Sequence, residues 1–442
     1  MSDDVTARES VTPEEGLSLR EILEVEVSDE RVKRVKEYIA PDEDVPDEVR
    51  DWLARRQVRH ANIQYARFLA GVKYTEQDVD DIVTNSIDIH AHGGSDPFER
   101  LMLEDDLAYD YTDAGVRAMV VKTWYTPSAS RNALVQKLAD AHAQTRGLRS
   151  VRCLGGVTLN YSQGGLNPDA VRKCLGFPGM KYVWMPMVDS YHHRRVVYDD
   201  QTGSGLRLLD DRGRVLPELR EILRIVADND LVLACGHYPF EDAHRLFSEA
   251  RELGVRHMEA VHPAHIHSKH SIRQMVMQAE LGVKLMLSGL GAEAFPLHED
   301  GPLFAAEQVK EVGASNCVFG SDVGQFQNFP HIVALRWMVK LLLSYGCTKE
   351  ELYQVFQVGP AQHLGMEPPP EMGTPAHPGW PAHNTYSRFK GYPQGDPQAR
   401  ERAHSRWVPE TTSRYRSHFG SDGDFRREVD GSEGMGGPTA IE

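Results

Sequence analysis

Eight short apolar runs, separated by amphipathic segments, fill the middle of this 442-residue chain and constrain its fold more than any other feature. The runs cover residues 87–92, 116–124, 151–159, 182–188, 231–237, 257–262, 283–290 and 317–322. Between them, segments 131–143, 216–227, 241–253, 272–281 and 303–312 have helical periodicity. Strict alternation of strand and helix predicts a parallel sheet. Eight such repeats between residues 86 and 365 fit the size of a closed (β/α)₈ TIM barrel.

An open, doubly wound α/β sheet is the alternative architecture. That fold places a Gly-rich phosphate-binding loop after its first strand. The first apolar run here ends in His90-Ala-His92 and is followed by Gly93-Gly94, which does not have the required form. The barrel is therefore the preferred fold.

The rest of the chain divides by composition. Residues 1–16 are polar and acidic and predict a flexible amino terminus. Residues 17–82 are expected to form a helical extension, followed by the barrel over 84–366. Residues 367–442 are rich in Pro, Gly, Ser and Arg, which predicts a disordered tail. Their Trp and Tyr residues favour the alternative of an arm that contacts a neighbouring subunit, so a homo-oligomer is expected.

Charge and cysteine content exclude several classes of protein. With 49 basic and 65 acidic residues the formal net charge is −16, a balance that disfavours nucleic-acid binding. The five cysteines form no C-x-x-C pair, which indicates a reduced, cytoplasmic protein. The amino terminus lacks the apolar region of a signal peptide. No segment has the roughly 20 apolar residues of a membrane helix, so no membrane partner is expected.

Polar residues that ligate metals end four of the apolar runs. His90 and His92 lie two apart at the end of the first run, so both side chains should project from one face of the strand. Asp88 is predicted on that same face, one step deeper. His237, His262 and Asp322 end the fifth, sixth and eighth runs. In a barrel these ends meet at one mouth, and this set of ligands suits a divalent metal such as zinc.

This pattern resembles the amidohydrolase superfamily of metal-dependent barrel enzymes. The resemblance covers residues 84–366, including the closing Gly359-Pro-Ala-Gln-His-Leu-Gly365, and Ser321-Asp-Val-Gly-Gln325 points to a poorly characterised subgroup. It implies that His90, His92 and Asp322 bind the more buried ion. It also implies that His237 and His262 bind a second ion, or that one of them joins the first. Asp322 would take a proton from the attacking water, with His262 also in the catalytic set. Zinc is the expected ion, and Mn²⁺, Fe²⁺ or Co²⁺ would suit the same ligands.

One residue departs from the pattern of the superfamily. Two-metal members usually bridge their ions with a carboxylated lysine or a glutamate, commonly on strand 4, and the fourth run here offers neither. Lys122 instead ends the second run. Burial disfavours a charged amine, so Lys122 could react with carbon dioxide and become the bridging ligand. An ion pair with a nearby carboxylate and a contact to an anionic substrate group remain the alternatives.

Specificity in barrels resides in the loops after the strands. His193, Tyr125 and Tyr238 lie just past strand ends and are expected to contact a small-molecule substrate. The favoured activity is hydrolysis of an amide, lactam, lactone or related C–N or C–O bond by metal-activated water. A non-oxidative decarboxylase with one metal ion, as in relatives with the same barrel, is the alternative, and a scaffold with a structural metal is the third hypothesis.

Overall fold

The computed structural model describes residues 74–372, apart from 98–99, 266–267, 290–300 and 326–329, together with residues 29–36 and positions 47, 51, 54 and 55. The predicted flexible segment 1–16, most of the predicted helical extension and the tail after residue 372 lie outside these described residues. Asp29–Lys36, which we name α1, is helical.

Eight parallel strands form one sheet in the order in which they occur along the chain, which confirms the predicted barrel topology. They are β1 Ile87–Ala91, β2 Ala118–Val121, β3 Arg152–Thr158, β4 Met180–Trp184, β5 Val232–Ala234, β6 His257–Ala260, β7 Val283–Ser288 and β8 Cys317–Gly320. Most strands are shorter than the apolar runs that predicted them. The difference arises because the runs continue into the first loop residues, where buried side chains line the mouth of the barrel.

The first and last strands meet and close the barrel. The Asp322 N–H donates to the His90 carbonyl at 2.7 Å, and the His92 N–H donates to the Val323 carbonyl at 3.0 Å. These two hydrogen bonds lie just beyond the end of β8. The carboxyl-terminal ends of β1 and β8 are therefore held side by side.

Helices surround the sheet and return the chain between strands. After α1 the described helices are α2 Glu76–Val83, α3 Glu104–Asp113, α4 Asn132–Arg146, α5 Pro168–Cys174, α6 Tyr191–Val196, α7 Pro217–Asp228, α8 Phe240–Glu252, α9 Ile272–Glu280, α10 Gly301–Val312, α11 His331–Ser344, α12 Lys349–Tyr353 and α13 Gly359–His363. Side-chain caps define where several helices begin: Thr75, Ser271 and Thr348 each form a reciprocal capping box. Among the described helices, none has both the length and the apolar character needed to cross a membrane.

Side chains alternate between two apolar layers, as the two-residue period of a strand requires. Tyr182 and Trp184 of β4 pack in the barrel interior, whereas Val183 between them packs in the layer shared with the helices. Ala361 and Leu364, at the end of the described chain, join the interior layer and close the barrel floor. The helices α12 and α13 are joined by a π-helical turn at Gln354–Val358.

Candidate metal centre

The five predicted ligands converge at the carboxyl-terminal mouth of the barrel, although they come from four different strand ends. Each is almost completely buried, with at most 3% of its surface exposed. The set consists of His90, His92, His237, His262 and Asp322. Because parallel strands end at the same edge, spacing along the chain does not matter, and residues more than 230 positions apart become neighbours.

Three of these side chains form a compact group. The ligand atoms of His90, His92 and Asp322 all lie within 4.8 Å of one another. Asp322 Oδ1 is 3.2 Å from His92 Nε2 and 3.4 Å from His90 Nε2. Two ligand atoms, each about 2.1 Å from a tetrahedral zinc ion, lie about 3.4 Å apart. The spacing of this group therefore matches the separation that zinc requires.

The other two histidines form an adjoining pair. The Nε2 atoms of His237 and His262 are 3.3 Å apart. His262 Nε2 is also 4.0 Å from Asp322 Oδ2, the second oxygen of the same carboxylate. Oδ1 of Asp322 thus faces His90 and His92, and Oδ2 faces His262, the neighbour of His237. Such an arrangement can hold one ion, or two ions with Asp322 shared between them.

The backbone at β1 explains how both of its histidines reach the mouth. The pairing register with β2 shifts between Asp88 and Ala91, which marks a bulge. Asp88, predicted on the same face as the histidines, instead accepts a hydrogen bond from Tyr111 of α3 at 2.5 Å. Its other oxygen accepts from the backbone N–H groups of His90 and Ser321. The prediction for Asp88 was wrong because the bulge breaks the two-residue alternation. The Asp88 carboxylate instead holds the backbone of His90 and Ser321 through hydrogen bonds.

Two residues of the centre have positive backbone φ angles. Asp322 has φ 55° and His262 has φ 28°, values that L residues other than Asn and Asp rarely adopt. Gly324, with φ 136°, passes so close to His92 that a Cβ there would lie 2.0 Å from the His92 carbonyl oxygen. These residues keep such conformations because the surrounding barrel holds them, which is typical of functional sites.

The electrostatics favour neutral imidazoles, the form that binds metal. Burial, followed by the nearby charge of Lys122, holds the pKa of His90 well below its ordinary value. Burial and then Arg100 do the same to the pKa of His92. The His92 Nδ1–H donates to the Lys122 carbonyl at 2.9 Å, which leaves Nε2 as the atom facing Asp322. Neither ring nitrogen of His90 has a hydrogen-bond partner among the described residues. A buried, unpartnered imidazole beside a carboxylate fits a metal ligand.

Lys122 follows β2 directly and is 1% exposed. Its Nζ lies 5.9 Å from the ring centroid of Trp124. Its charge acts on His90, His92 and Glu259. Lys122 therefore belongs to the electrostatic environment of the centre, as the sequence predicted. Its role as a ligand, ion-pair partner or substrate contact stays a prediction.

Of the three predicted substrate contacts, two have other partners. Tyr238 is fully buried, and its hydroxyl donates to the Leu206 carbonyl at 2.8 Å, so the structure does not support a substrate contact. His193 is also fully buried and stacks on His237, with the two Nδ1 atoms 2.8 Å apart. It orients a candidate ligand instead. Tyr125 is half-buried beside Trp124, where a contact to substrate remains a prediction.

The sequence reasoning missed several neighbours of the centre. Ser288, which ends β7, donates to Asp322 Oδ2 at 3.2 Å. It lies within the seventh apolar run, 283–290, and a polar residue near the end of such a run is a signal that could have identified it. Trp184 ends β4 with its ring edge-on to His90 at 6.4 Å between centroids. His331 donates from Nε2 to the His92 carbonyl at 2.9 Å, a contact that no local sequence pattern predicts.

A polar group lies beneath the centre, inside the barrel. Glu259 is fully buried and accepts a hydrogen bond from the Tyr182 hydroxyl at 2.6 Å. His363 Nε2 is 3.4 Å from the same carboxylate oxygen. Burial raises the pKa of Glu259 to about 8 and lowers that of His363 to about 3. Tyr182 in turn stacks on Trp184 at 4.8 Å.

Fold and centre together define an eight-stranded parallel barrel with a candidate metal centre at its carboxyl-terminal end. The model of a family of unknown function, DUF6282, matches residues 85–286 of the chain. That match ends at β7 and so contains four of the five candidate ligands but not Asp322. No curated protein matches the sequence.

Several solved barrel enzymes are similar in structure. An amidohydrolase from Pseudomonas aeruginosa is 12% identical, with a TM-score of 0.43, and covers 66% of this chain and 98% of its own. A lactonase from Listeria monocytogenes is 11% identical, with a TM-score of 0.43 and coverage of 64% and 95%. A zinc-bound amidohydrolase from Burkholderia multivorans is 14% identical, with a TM-score of 0.41 and coverage of 64% and 99%. Similarity at this level carries no information about activity, which must be inferred from the residues of this chain.

Proposed function

We propose that this protein is a metal-dependent hydrolase that cleaves a C–N or C–O bond of a small molecule, such as an amide, lactam or lactone. One observation carries the proposal: the Asp322 carboxylate lies between two pairs of buried histidines at the barrel mouth, within 3.2–4.0 Å of three of them. The resemblance of the sequence pattern to the amidohydrolase superfamily supports the same function. Structural zinc sites are closed and often rich in cysteine. The described cysteines are instead buried thiols, and burial raises the pKa of Cys235 to about 12.

Each residue has a role in this proposal. His90, His92 and Asp322 hold the first ion, and His237 and His262 hold a second ion or complete the first set. A divalent cation bound there would acidify water and polarise a scissile carbonyl. Asp322 accepts the proton of the attacking water and returns it to the leaving group, as a carboxylate at that position can. Ser288 donates to Asp322 Oδ2 and thereby restrains the carboxylate.

Lys122 is the proposed bridge if two ions bind. Its neutral amine would add carbon dioxide and release a proton, and the resulting carbamate would present two oxygens to the ions. Its burial and its position beside His90 favour this role. Zinc is the proposed ion, because imidazole and carboxylate at this spacing suit it, although the same ligands accept manganese, iron or cobalt.

A second candidate is a non-oxidative decarboxylase with a single ion. The observation that favours it is Trp184, which brings an indole and not a carboxylate or lysine to the end of β4. If Lys122 does not bridge, the centre holds one ion. A substrate carboxylate could then approach the Lys122 amine.

Metal content distinguishes these proposals. The protein is purified from cells grown with bicarbonate, its metal is measured by elemental mass spectrometry, and it is assayed against lactones, amides and aromatic acids. About two ions per chain with hydrolysis supports the two-metal hydrolase. About one ion with carbon dioxide release supports the lyase. A chain that binds neither zinc nor manganese would overturn both.

A further inference from the structure

The opposite end of the barrel, where the strands begin, carries a group of cations. We name it the amino-terminal face and define it by the four residues Arg117, Arg152, Lys181 and Arg256, which lie at or next to the starts of β2, β3, β4 and β6. Because the strands are parallel, these starts lie at one edge of the sheet. The group is unexpected in a chain with a net charge of −16.

Two nearby acidic groups, Asp230 and Glu367, act on these four cations, which leaves an excess of positive charge. Asp230 is shared by Arg256 at 2.7 Å, His257 at 3.0 Å and Lys181 at 3.5 Å. Arg152 is exposed and has no ion pair among the described residues. Arg117 has a buried Nη1 atom without a hydrogen-bond partner in the described part of the chain. One carboxylate thus serves three neighbours, while two guanidinium groups keep unused donors.

The pKa values of the group agree with this imbalance. Burial, followed by the charge of Arg152, lowers the pKa of Arg117. Burial also lowers the pKa of Lys181, with Asp230 opposing the shift and both Arg152 and Arg256 adding to it. The cations repel one another, and an anion placed against them would relieve that repulsion.

The chain itself supplies a matching anion. Residues 1–28 contain eight acidic and two basic residues. They precede α1, and the chain enters the barrel through Thr84, Asn85 and Ser86, immediately before β1. Asn85 accepts a hydrogen bond from Arg149 at 2.6 Å at this entry point. The net negative charge of this segment is complementary to the four cations of the amino-terminal face.

We infer that the amino-terminal face binds the acidic segment 1–28 of the same chain. The contact is electrostatic, with the carboxylates of the segment against Arg117, Arg152, Lys181 and Arg256. It lies at the end of the barrel away from the candidate metal centre and does not depend on the proposed hydrolase activity. A free acidic peptide or a second copy of the chain would present the same chemistry, and the experiment separates these cases.

Amide hydrogen exchange of the full chain tests the inference. Amides within residues 1–28 should exchange about fivefold to tenfold more slowly than an unstructured peptide of the same sequence. Protection should disappear in Arg152→Glu/Arg256→Glu and at 1 M salt, where the screening length falls to about 3 Å. Both arginines are exposed, so the folded barrel should tolerate the change. The control Lys137→Glu/Arg273→Glu, with exposed cations on α4 and α9, should leave protection unchanged.

Two outcomes would overturn the inference. One is exchange of residues 1–28 at the rate of an unstructured peptide in the wild-type chain. The other is equal protection in Arg152→Glu/Arg256→Glu. Protection that is lost on dilution of the protein would assign the segment to a neighbouring copy and would overturn binding within one chain.

Discussion

His193 Nδ1 lies 2.8 Å from His237 Nδ1, and the two imidazoles stack at an interplanar angle of 16°. One of the two nitrogens must donate and the other must accept. If His237 binds a metal through Nε2, its Nδ1 carries the proton and donates a hydrogen bond to Nδ1 of His193. His193 therefore selects the tautomer of His237 that leaves Nε2 toward His262, a common arrangement around metal-binding histidines.

Replacing His193 tests that role. His193→Phe should weaken zinc binding about 10–100-fold, the usual cost of losing such a partner. Zinc affinity is measured by competition with a chromogenic chelator. His193→Asn, whose side-chain oxygen can accept from His237, should restore part of the affinity. Equal affinity in His193→Phe and in the wild-type protein would show that the stacked pair does not act on the metal.

Asp322→Asn should remove activity and leave the fold intact. Asn tolerates the φ of 55° at this position, so the backbone is not strained further. The amide cannot accept a proton as the carboxylate does, and the turnover number should fall about 10²–10⁴-fold. Steady-state kinetics and the midpoint of thermal unfolding are measured together. Ser288→Ala, which removes only a donor to Asp322, should have a much smaller effect, and full turnover in Asp322→Asn would exclude Asp322 as the base.

Lys122→Met should reduce the metal content from about two ions per chain to about one if Lys122 bridges them. Elemental mass spectrometry measures the ions, and the intact mass of the native protein measures bound carbon dioxide. Lys181→Met, which changes a half-buried lysine at the opposite end of the barrel, is the control and should change neither. Unaltered metal content in Lys122→Met would leave Lys122 as an ion-pair partner or a substrate contact.

Glu259 should make stability depend on pH. Its pKa is about 4.5 in an exposed setting and about 8 in the barrel. Between these values the folded chain holds a proton that the unfolded chain has lost, so the folded state loses stability as pH rises. The slope attributable to one such group is about 1.4 kcal/mol per pH unit.

Glu259→Gln isolates this contribution. Gln keeps an acceptor for the Tyr182 hydroxyl and does not ionise. Thermal or urea unfolding measured from pH 5 to pH 8 should therefore show a flatter dependence in the variant than in the wild-type protein. Parallel curves for the two proteins would show that Glu259 does not hold its proton in the folded barrel.

Gly324→Ala should disturb the centre through the backbone. A Cβ at this position would lie 2.0 Å from the His92 carbonyl oxygen, so β1 and the loop after β8 must separate. We expect a loss of about 2–4 kcal/mol in unfolding free energy, together with weaker metal binding. Gly213→Ala is the control for a positive φ, which is 70° there and 136° at Gly324, and no atom lies within 4 Å of its new methyl group. Equal losses in the two variants would show that the contact with His92 adds nothing to the cost of a positive φ.

Much of the fold and of the centre could be predicted from the sequence. The alternation of apolar runs and helical segments is a local property, and it located all eight strands. The candidate ligands followed from one rule, that polar residues ending parallel strands meet at one edge. That rule identified His237 and Asp322, 85 positions apart, without any knowledge of tertiary contacts.

The differences between the predictions and the structure have a common physical origin. Asp88 was placed on the wrong face because a bulge in β1 depends on pairing with β2, which local periodicity does not encode. Tyr238 and His193 were assigned to substrate because both follow strand ends. Their burial depends on how α6 and the segment near Leu206 pack over the barrel, and such packing is decided by distant parts of the chain.

The barrel is closed where its first and last strands meet, and the candidate centre spans that seam. His90 and His92 belong to one side of the seam and Asp322 to the other, so an ion held by all three joins the two ends of the sheet. Binding to the folded state alone stabilises it in proportion to the logarithm of free metal concentration. Removal of the ion should therefore loosen β1 and β8 before β4 and β5 on the far side. The apoprotein is therefore expected to open first between β1 and β8.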